Sequence, residues 1–276
     1  MLGLLLLQVL ASCLCLGHSE VVTSFKTACT QFFYEKTPPG DSLRPTNAAR
    51  ICQVYDNKYR FATLYDRNRR IPVYSAYIYK PGPGTRYPSW FVEPQVINQN
   101  YGKDMDTEET IEDEYTITLE QIGQNQATTQ DYNKLQNLEK CPLTPSDHRS
   151  GDDSKWATYT LTNTVPLNSR LDQAGWRDYM EKTMAQKTQG CDTTYVITGA
   201  VPGNSKIPSG RVNVPSHIWS AACCLVGNNP TRAWGAIADN DKNQVEHLNL
   251  GQLENWLTNL YKGRLVTLFN KACPRQ

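Results

Sequence analysis

The sequence lacks an excess of either charge: 28 Lys+Arg against 27 Asp+Glu over 276 residues leave a formal net charge of +1. That balance excludes a globally basic protein that coats nucleic acid indiscriminately. Gly 17 and Pro 16 are too few for a collagenous or low-complexity chain. There is no internal repeat and no linker-like stretch, so a single domain is expected. No C-x-x-C pair occurs, and adjacent Cys223 and Cys224 cannot easily chelate one metal. No Asn-x-Ser/Thr acceptor has a permitted middle residue, so glycosylation lends no support to secretion. Beyond residue 16 no second long apolar run appears, and no membrane partner is expected.

What is present begins with an address. Residues Met1 to Leu16 carry no charged side chain, and Leu4-Leu5-Leu6-Leu7 starts an apolar run of signal-peptide length. Gly17 and Ser19 supply small residues at the −3 and −1 positions of a cut before Glu20. The sequence therefore predicts a signal peptide over 1–19 and a secreted, extracellular protein over 20–276. Seven cysteines remain in that segment: Cys29, Cys52, Cys141, Cys191, Cys223, Cys224 and Cys273. In an oxidising compartment most should pair, and one is left over.

Periodicity predicts an α+β fold with a largely antiparallel sheet, because strands are many, helices few, and the two do not alternate. Residues 60–66 and 71–79 read as a hairpin around Arg67-Asn-Arg-Arg70. Strands are expected at 156–162, 193–198, 211–219 and 232–238, with a turn at 163–168. Helices are expected from about Arg170 to Lys187 and from Leu248 to Leu260. Residues 101–115 hold seven acidic residues and one Lys, which predicts a solvated loop. The rest of the chain is then mildly basic, above all 58–86, where seven Lys/Arg meet one Asp.

Four segments carry a family resemblance. They are Ile51-Cys-Gln53 with Arg60-Phe-Ala-Thr-Leu-Tyr-Asp66, Arg70-Ile-Pro-Val-Tyr-Ser-Ala-Tyr77 with Glu93-Pro-Gln95, Ala157-Thr-Tyr-Thr-Leu-Thr-Asn-Thr-Val-Pro166, and Val212-Asn-Val-Pro-Ser-His-Ile-Trp-Ser-Ala-Ala-Cys-Cys224. In order and spacing they resemble the DNA/RNA non-specific endonuclease family, from about Cys29 to Cys273. The resemblance implies a ββα-metal core in which two strands and a helix grip one divalent ion. It implies phosphodiester hydrolysis, with a His in an Asp-Arg-Gly-His segment as general base. A Mg²⁺ ion with few protein ligands would stabilise the charge developing on phosphate. Arg side chains would hold DNA or RNA by its backbone, with little base preference.

The motif is not intact. With Leu143-Thr-Pro145 as anchor, Glu139-Lys140-Cys141-Pro142 stands where Asp-Arg-Gly-His belongs. Pro142 occupies the general-base position and has no titratable side chain. Lys140 keeps the charge of the Arg without its planar fork. Cys141 replaces the Gly and is the odd cysteine, leaving Cys29, Cys52, Cys191, Cys223, Cys224 and Cys273 to form three pairs. Asp172 replaces the metal-binding Asn and, still an oxygen ligand, is the candidate metal ligand. The usual Glu position falls on Met180, and one residue of α-helix turns Glu181 away. Asn163, Arg69 and Arg70 match substrate-binding positions, with solvated surface arginines as the competing reading. His148, in a polar loop, is the candidate substitute base, against an ordinary surface histidine. His217 reads as a structural core residue and His247 as surface or cap.

Three functions follow: a nuclease-fold protein with little or no activity, an active nuclease with a re-sited base, or a disulfide-stapled extracellular interaction module.

Overall fold

The structure, a computed structural model, describes residues 20–276. The signal peptide expected over 1–19 lies outside the described residues. In chain order the principal strands are β1 (Val21–Val22), β2 (Ala48–Tyr55), β3 (Lys58–Asp66), β4 (Ile71–Ile78), β5 (Leu138–Pro142), β6 (Thr164–Asn168), β7 (Thr193–Val201), β8 (His217–Val226), β9 (Asn229–Asp239) and β10 (Val245–Leu248). Eight of them form one sheet in the order β1-β2-β3-β4-β7-β8-β9-β10, every pair antiparallel. The α+β class and the hairpin at 60–79 stand as the sequence predicts.

Both faces of this sheet are covered, so its central strands are buried nearly throughout. On one face Phe61, Tyr77, Val196 and Ile218 pack against the β5–β6 hairpin and the helical segment that follows it. On the other, Leu64, Val73, Ile197 and Trp219 pack against a C-terminal helix, Leu250–Leu260, and the N-terminal segment around Phe25 and Phe32.

Adjacent Cys223 and Cys224 show why a strand can serve two layers. Successive side chains on a strand point to opposite faces. Cys224 bonds Cys191 on the hairpin face, while Cys223 bonds Cys273 on the other. Cys29–Cys52 is the third disulfide, and Cys141 is the free, buried cysteine.

Three local expectations are corrected. The acidic stretch holds a helix, Glu108–Tyr115, N-capped by Thr107, whose side chain accepts from Thr110 N. Its first-turn Glu108 and Glu109 favour the positive end of the helix dipole, and Ile111 supplies a buried contact that the charge run conceals. Residues 156–162 are not a strand. Their alternating threonines serve a buried carboxyl instead: Thr160 Oγ1 and Thr162 Oγ1 donate to Glu93 Oε1 at 2.6 and 3.0 Å. The expected turn at 163–168 is strand β6, paired with β5 from Leu138↔Asn168 to Pro142↔Thr164. Among the described residues no helix is long and apolar enough to cross a membrane.

Glu93 faces a second buried carboxyl, that of Glu20. Glu20 Oε1 and Glu93 Oε2 have no donor from elsewhere, and the two groups hydrogen-bond each other, which requires one shared proton. Burial, then the neighbouring Glu93, pushes Glu20 well above its ordinary 4.5, and burial raises Glu93 as well. A raised carboxyl stabilises the fold fully below its unfolded value and loses that contribution as pH rises through the folded value. The contribution of this carboxyl pair to the melting temperature should therefore shrink as pH rises above 4.5. Glu93→Gln keeps an acceptor for both threonines and should flatten that decline. Parallel thermal melts of the two proteins above this pH would contradict the shared proton.

Candidate active site

The β5–β6 hairpin delivers Lys140, Cys141 and Pro142 to one wall of a cleft of about 280 Å³. The opposite wall comes from the helical segment after β6, which the sequence reads as one helix over 170–187. It is broken instead. A short α-helix, Ser169–Gln173, stops at Ala174, whose φ −131° and ψ −92° lie outside the helical region. Gly175 N donates to Asn243 Oδ1 at 3.0 Å, and a Cβ at Gly175 would lie 2.9 Å from that oxygen, so a larger residue there would push the Asn243 side chain aside. Helix Gly175–Asp178 then runs into a π-helical turn, Tyr179–Thr183, before Met184–Lys187. Such a turn takes in an extra residue, and both Met180 and Glu181 line the cleft. Glu181 is therefore not turned away, contrary to the regular-helix expectation.

Pro142 is half-buried at the end of β5 and offers the cleft only ring carbons. Beside it, Lys140 is half-buried with Nζ 4.5 Å from the Trp90 ring centroid, a cation–π contact, and burial lowers its pKa. Glu139 is exposed on the hairpin, its Oε1 3.4 Å from Ser169 Oγ and from Gln173 Nε2. The thiol of Cys141 lies close to the carboxylate of Asp172, with its Sγ 3.9 Å from Pro142 O. Burial raises Asp172 above the usual carboxylate range, while Cys141 and the Arg177 guanidinium oppose that shift. Burial, then Asp172, lifts the Cys141 thiol well up, so at neutral pH it stays a thiol.

His148 is not the surface histidine that its polar sequence suggests. Its loop is pinned by Arg149, which donates to Ile78 O at 2.8 Å and Arg60 O at 2.7 Å from a buried guanidinium. The imidazole, 2% exposed, sits at the floor of the cleft. Nε2 lies 2.7 Å from Met180 O, an acceptor only, so Nε2 carries the proton. Nδ1 then accepts from the Tyr77 hydroxyl at 2.9 Å. Burial lowers the His148 pKa to about 4.

The remaining sequence candidates lie elsewhere. Asn163 is fully buried and structural: Oδ1 accepts from Ser75 Oγ at 2.8 Å and Thr144 N at 3.1 Å, and Nδ2 donates to Thr144 O and Thr158 O. It has no group left for a substrate. Arg70 turns to Gly123 O and Gln124 O, and Arg69 pairs with Asp66 at 2.8 Å, at the β3–β4 turn and away from the cleft. His217 is half-buried against Ser216 Oγ at 2.9 Å, and exposed His247 packs on Tyr179. Sequence reasoning missed Arg86 and Arg177, which bring positive charge to the cleft, and Trp90 and Tyr159, which wall it.

A Mg²⁺ site that keeps most of its waters needs a protein oxygen and acceptors for those waters. Asp172 could supply the oxygen, but the nearest groups acting on it are a thiol and a guanidinium cation, with the Glu139 carboxylate a weaker influence. Among the described residues no three His, Cys, Asp or Glu side chains converge as metal ligands. The residues present do not fit a resident Mg²⁺.

Comparison with known proteins bears on this geometry. The model of the DNA/RNA non-specific endonuclease family matches residues 38–262. The Endonuclease domain-containing 1 protein of Homo sapiens is 34% identical over 205 residues, 72% of this chain and 39% of the relative. Its Mus musculus counterpart is 32% identical over 242 residues, 83% of this chain and 45% of the relative. The chain thus spans less than half the length of these curated relatives. The solved structure "Crystal structure of the EndoG/EndoGI complex: Mechanism of EndoG inhibition" superposes with a TM-score of 0.47 at 15% identity, over 71% of this chain and 80% of that chain. The family match over most of the chain, together with two relatives above 30% identity, establishes that this chain belongs to the DNA/RNA non-specific endonuclease family.

Proposed function

We propose that this chain is a secreted nuclease-fold protein that binds nucleic acid through the backbone and has little or no phosphodiesterase activity. One observation carries the reading: the cleft holds no imidazole free to take a proton from water near pH 7. Pro142 has none to offer. The single imidazole at the cleft has both nitrogens committed, one donating to Met180 O and the other accepting from Tyr77. Asp172 lies against the Cys141 thiol, and burial raises its carboxyl above the usual carboxylate range.

Binding has a physical basis that hydrolysis lacks. Arg86, Lys140 and Arg177 bring positive charge to the cleft, and guanidinium forks match phosphate oxygens. Trp90 and Tyr159, 5.6 Å apart and edge to face, offer aromatic surface beside them. Contacts of this type read phosphate and sugar, so little sequence preference is expected. The three disulfides support an oxidising, extracellular setting.

Digestion of plasmid DNA and RNA with Mg²⁺ or Mn²⁺ tests the loss of activity. Loss of a general base costs roughly 10²–10⁴-fold, so cleavage by the unmodified protein should lie at or near background. Pro142→His should raise it, and robust EDTA-sensitive cleavage by the unmodified protein overturns the proposal. Binding should weaken steeply as salt rises, and Arg177→Gln should weaken it further. Binding indifferent to salt would favour an interaction module without a nucleic-acid role.

The commitment of His148 has its own test. Its imidazole NMR signals should not titrate between pH 5 and pH 8, because its pKa lies near 4. A depressed histidine stabilises the fold fully above its unfolded value of 6.5, and the contribution is lost as pH falls through the folded value. Tyr77→Phe, which leaves Nδ1 without a donor, should cost about 1–3 kcal/mol in denaturant unfolding. A midpoint near 6.5 would show the ring exposed and available.

A further inference from the structure

A second cleft lies on the opposite face of the sheet and is the larger of the two, about 620 Å³ against about 280 Å³. Four chain segments enclose it: residues 42–46, the β3–β4 turn, residues 201–204 after β7, and the end of the C-terminal helix. Its apolar floor belongs to the core layer that holds Leu43, Val73 and Val201, not to the layer behind Pro142.

Charge around this floor is one-sided. Arg44, Arg69, Lys262 and Arg264 line the cleft, and Asp66 is the one acidic residue among its lining. That carboxylate is spent internally. Asp66 is 1% exposed and accepts from Asn68 N at 2.9 Å, Arg69 N at 3.1 Å and Arg69 Nη1 at 2.8 Å. Among the described residues, the side chains of Arg44, Lys262 and Arg264 have no hydrogen-bond acceptor and no anion partner. Positive φ at Lys262 (61°) and Gly263 (78°) turns the chain at the helix end, so that both Lys262 and Arg264 reach the rim. Arg44, Lys262 and Arg264 are exposed, and an anion bound in the concavity would give each the partner that the fold does not supply.

We infer that this cleft is a second binding site, for a compact anion carrying two or more phosphate or sulfate groups. Arginine forks pair with tetrahedral oxyanions in bidentate fashion, and three cations without partners suit several such groups better than one. Its volume is that of a small-molecule site. Phosphate and sulfate esters share the recognised chemistry, and the two sources are separated by experiment.

The test is calorimetric titration of the intact, disulfide-bonded protein with inorganic tripolyphosphate and, separately, with a multiply sulfated disaccharide. Saturable binding of either anion, weakening as salt rises, is expected, and the tighter anion identifies the source. The double variant Arg44→Gln/Arg264→Gln should bind at least about tenfold more weakly, since each charge-assisted bond is worth roughly that factor. Its melting temperature should be unchanged, because neither side chain bonds the rest of the fold. Lys262→Gln provides an independent single-site loss. Arg177→Gln, which alters the cleft on the other face, should leave this affinity intact. Absence of saturable binding, binding that survives the double variant, or binding abolished by Arg177→Gln overturns the inference, and none of these outcomes bears on whether the protein cleaves nucleic acid.

Discussion

Two hydrogen bonds to one buried imidazole join the parts from which the nuclease-family cleft is made. His148 accepts from Tyr77 on the central sheet and donates to Met180 O in the π-helical turn. The loop that carries it is fastened by Arg149 to backbone carbonyls of β3 and β4. Sheet, loop and broken helix are thereby fixed relative to one another, and the hairpin bearing Pro142 closes the remaining side. A buried ring with both nitrogens satisfied is a strong constraint, since losing either partner leaves a polar atom unpaired in a dry interior. The same satisfaction removes this ring from acid–base chemistry. Structural duty and catalytic duty compete for the same lone pair, and here structure holds it.

Much of the fold is legible in the sequence because periodicity and composition decide it locally. The alternating and aromatic runs of β3 and β4 admit few other conformations, and buried strands such as β7 announce themselves by β-branched content. The failures have a common cause: the deciding partner is distant in sequence. Thr158, Thr160 and Thr162 look like a strand face, yet two of them are recruited by Glu93, more than sixty residues away. The acidic stretch looks solvated, yet Ile111 anchors one side of it as a helix. His148 looks exposed because its neighbours are polar, and nothing local reveals that Arg149 is drawn inward.

The site was legible where chemistry is carried by residue type and obscure where it depends on backbone geometry. That Pro142 cannot accept a proton follows from its identity alone. That Glu181 faces the cleft does not, because a regular helix places it elsewhere and only the π-helical turn brings it round. Asn163 and the two arginines of the β3–β4 turn matched family positions by type. Burial then assigns the asparagine to the core, and the turn carries the arginines to another part of the surface.

The opposed side chains of Cys223 and Cys224 have a mechanical consequence. One strand is riveted to both layers that sandwich the sheet, to Cys191 on one flank and Cys273 on the other. Cutting a single rivet frees only its own layer, because the strand stays tethered through its other side. The two flanks, and with them the two clefts, can therefore loosen separately, so a reductant that opens one bond need not disturb the opposite surface.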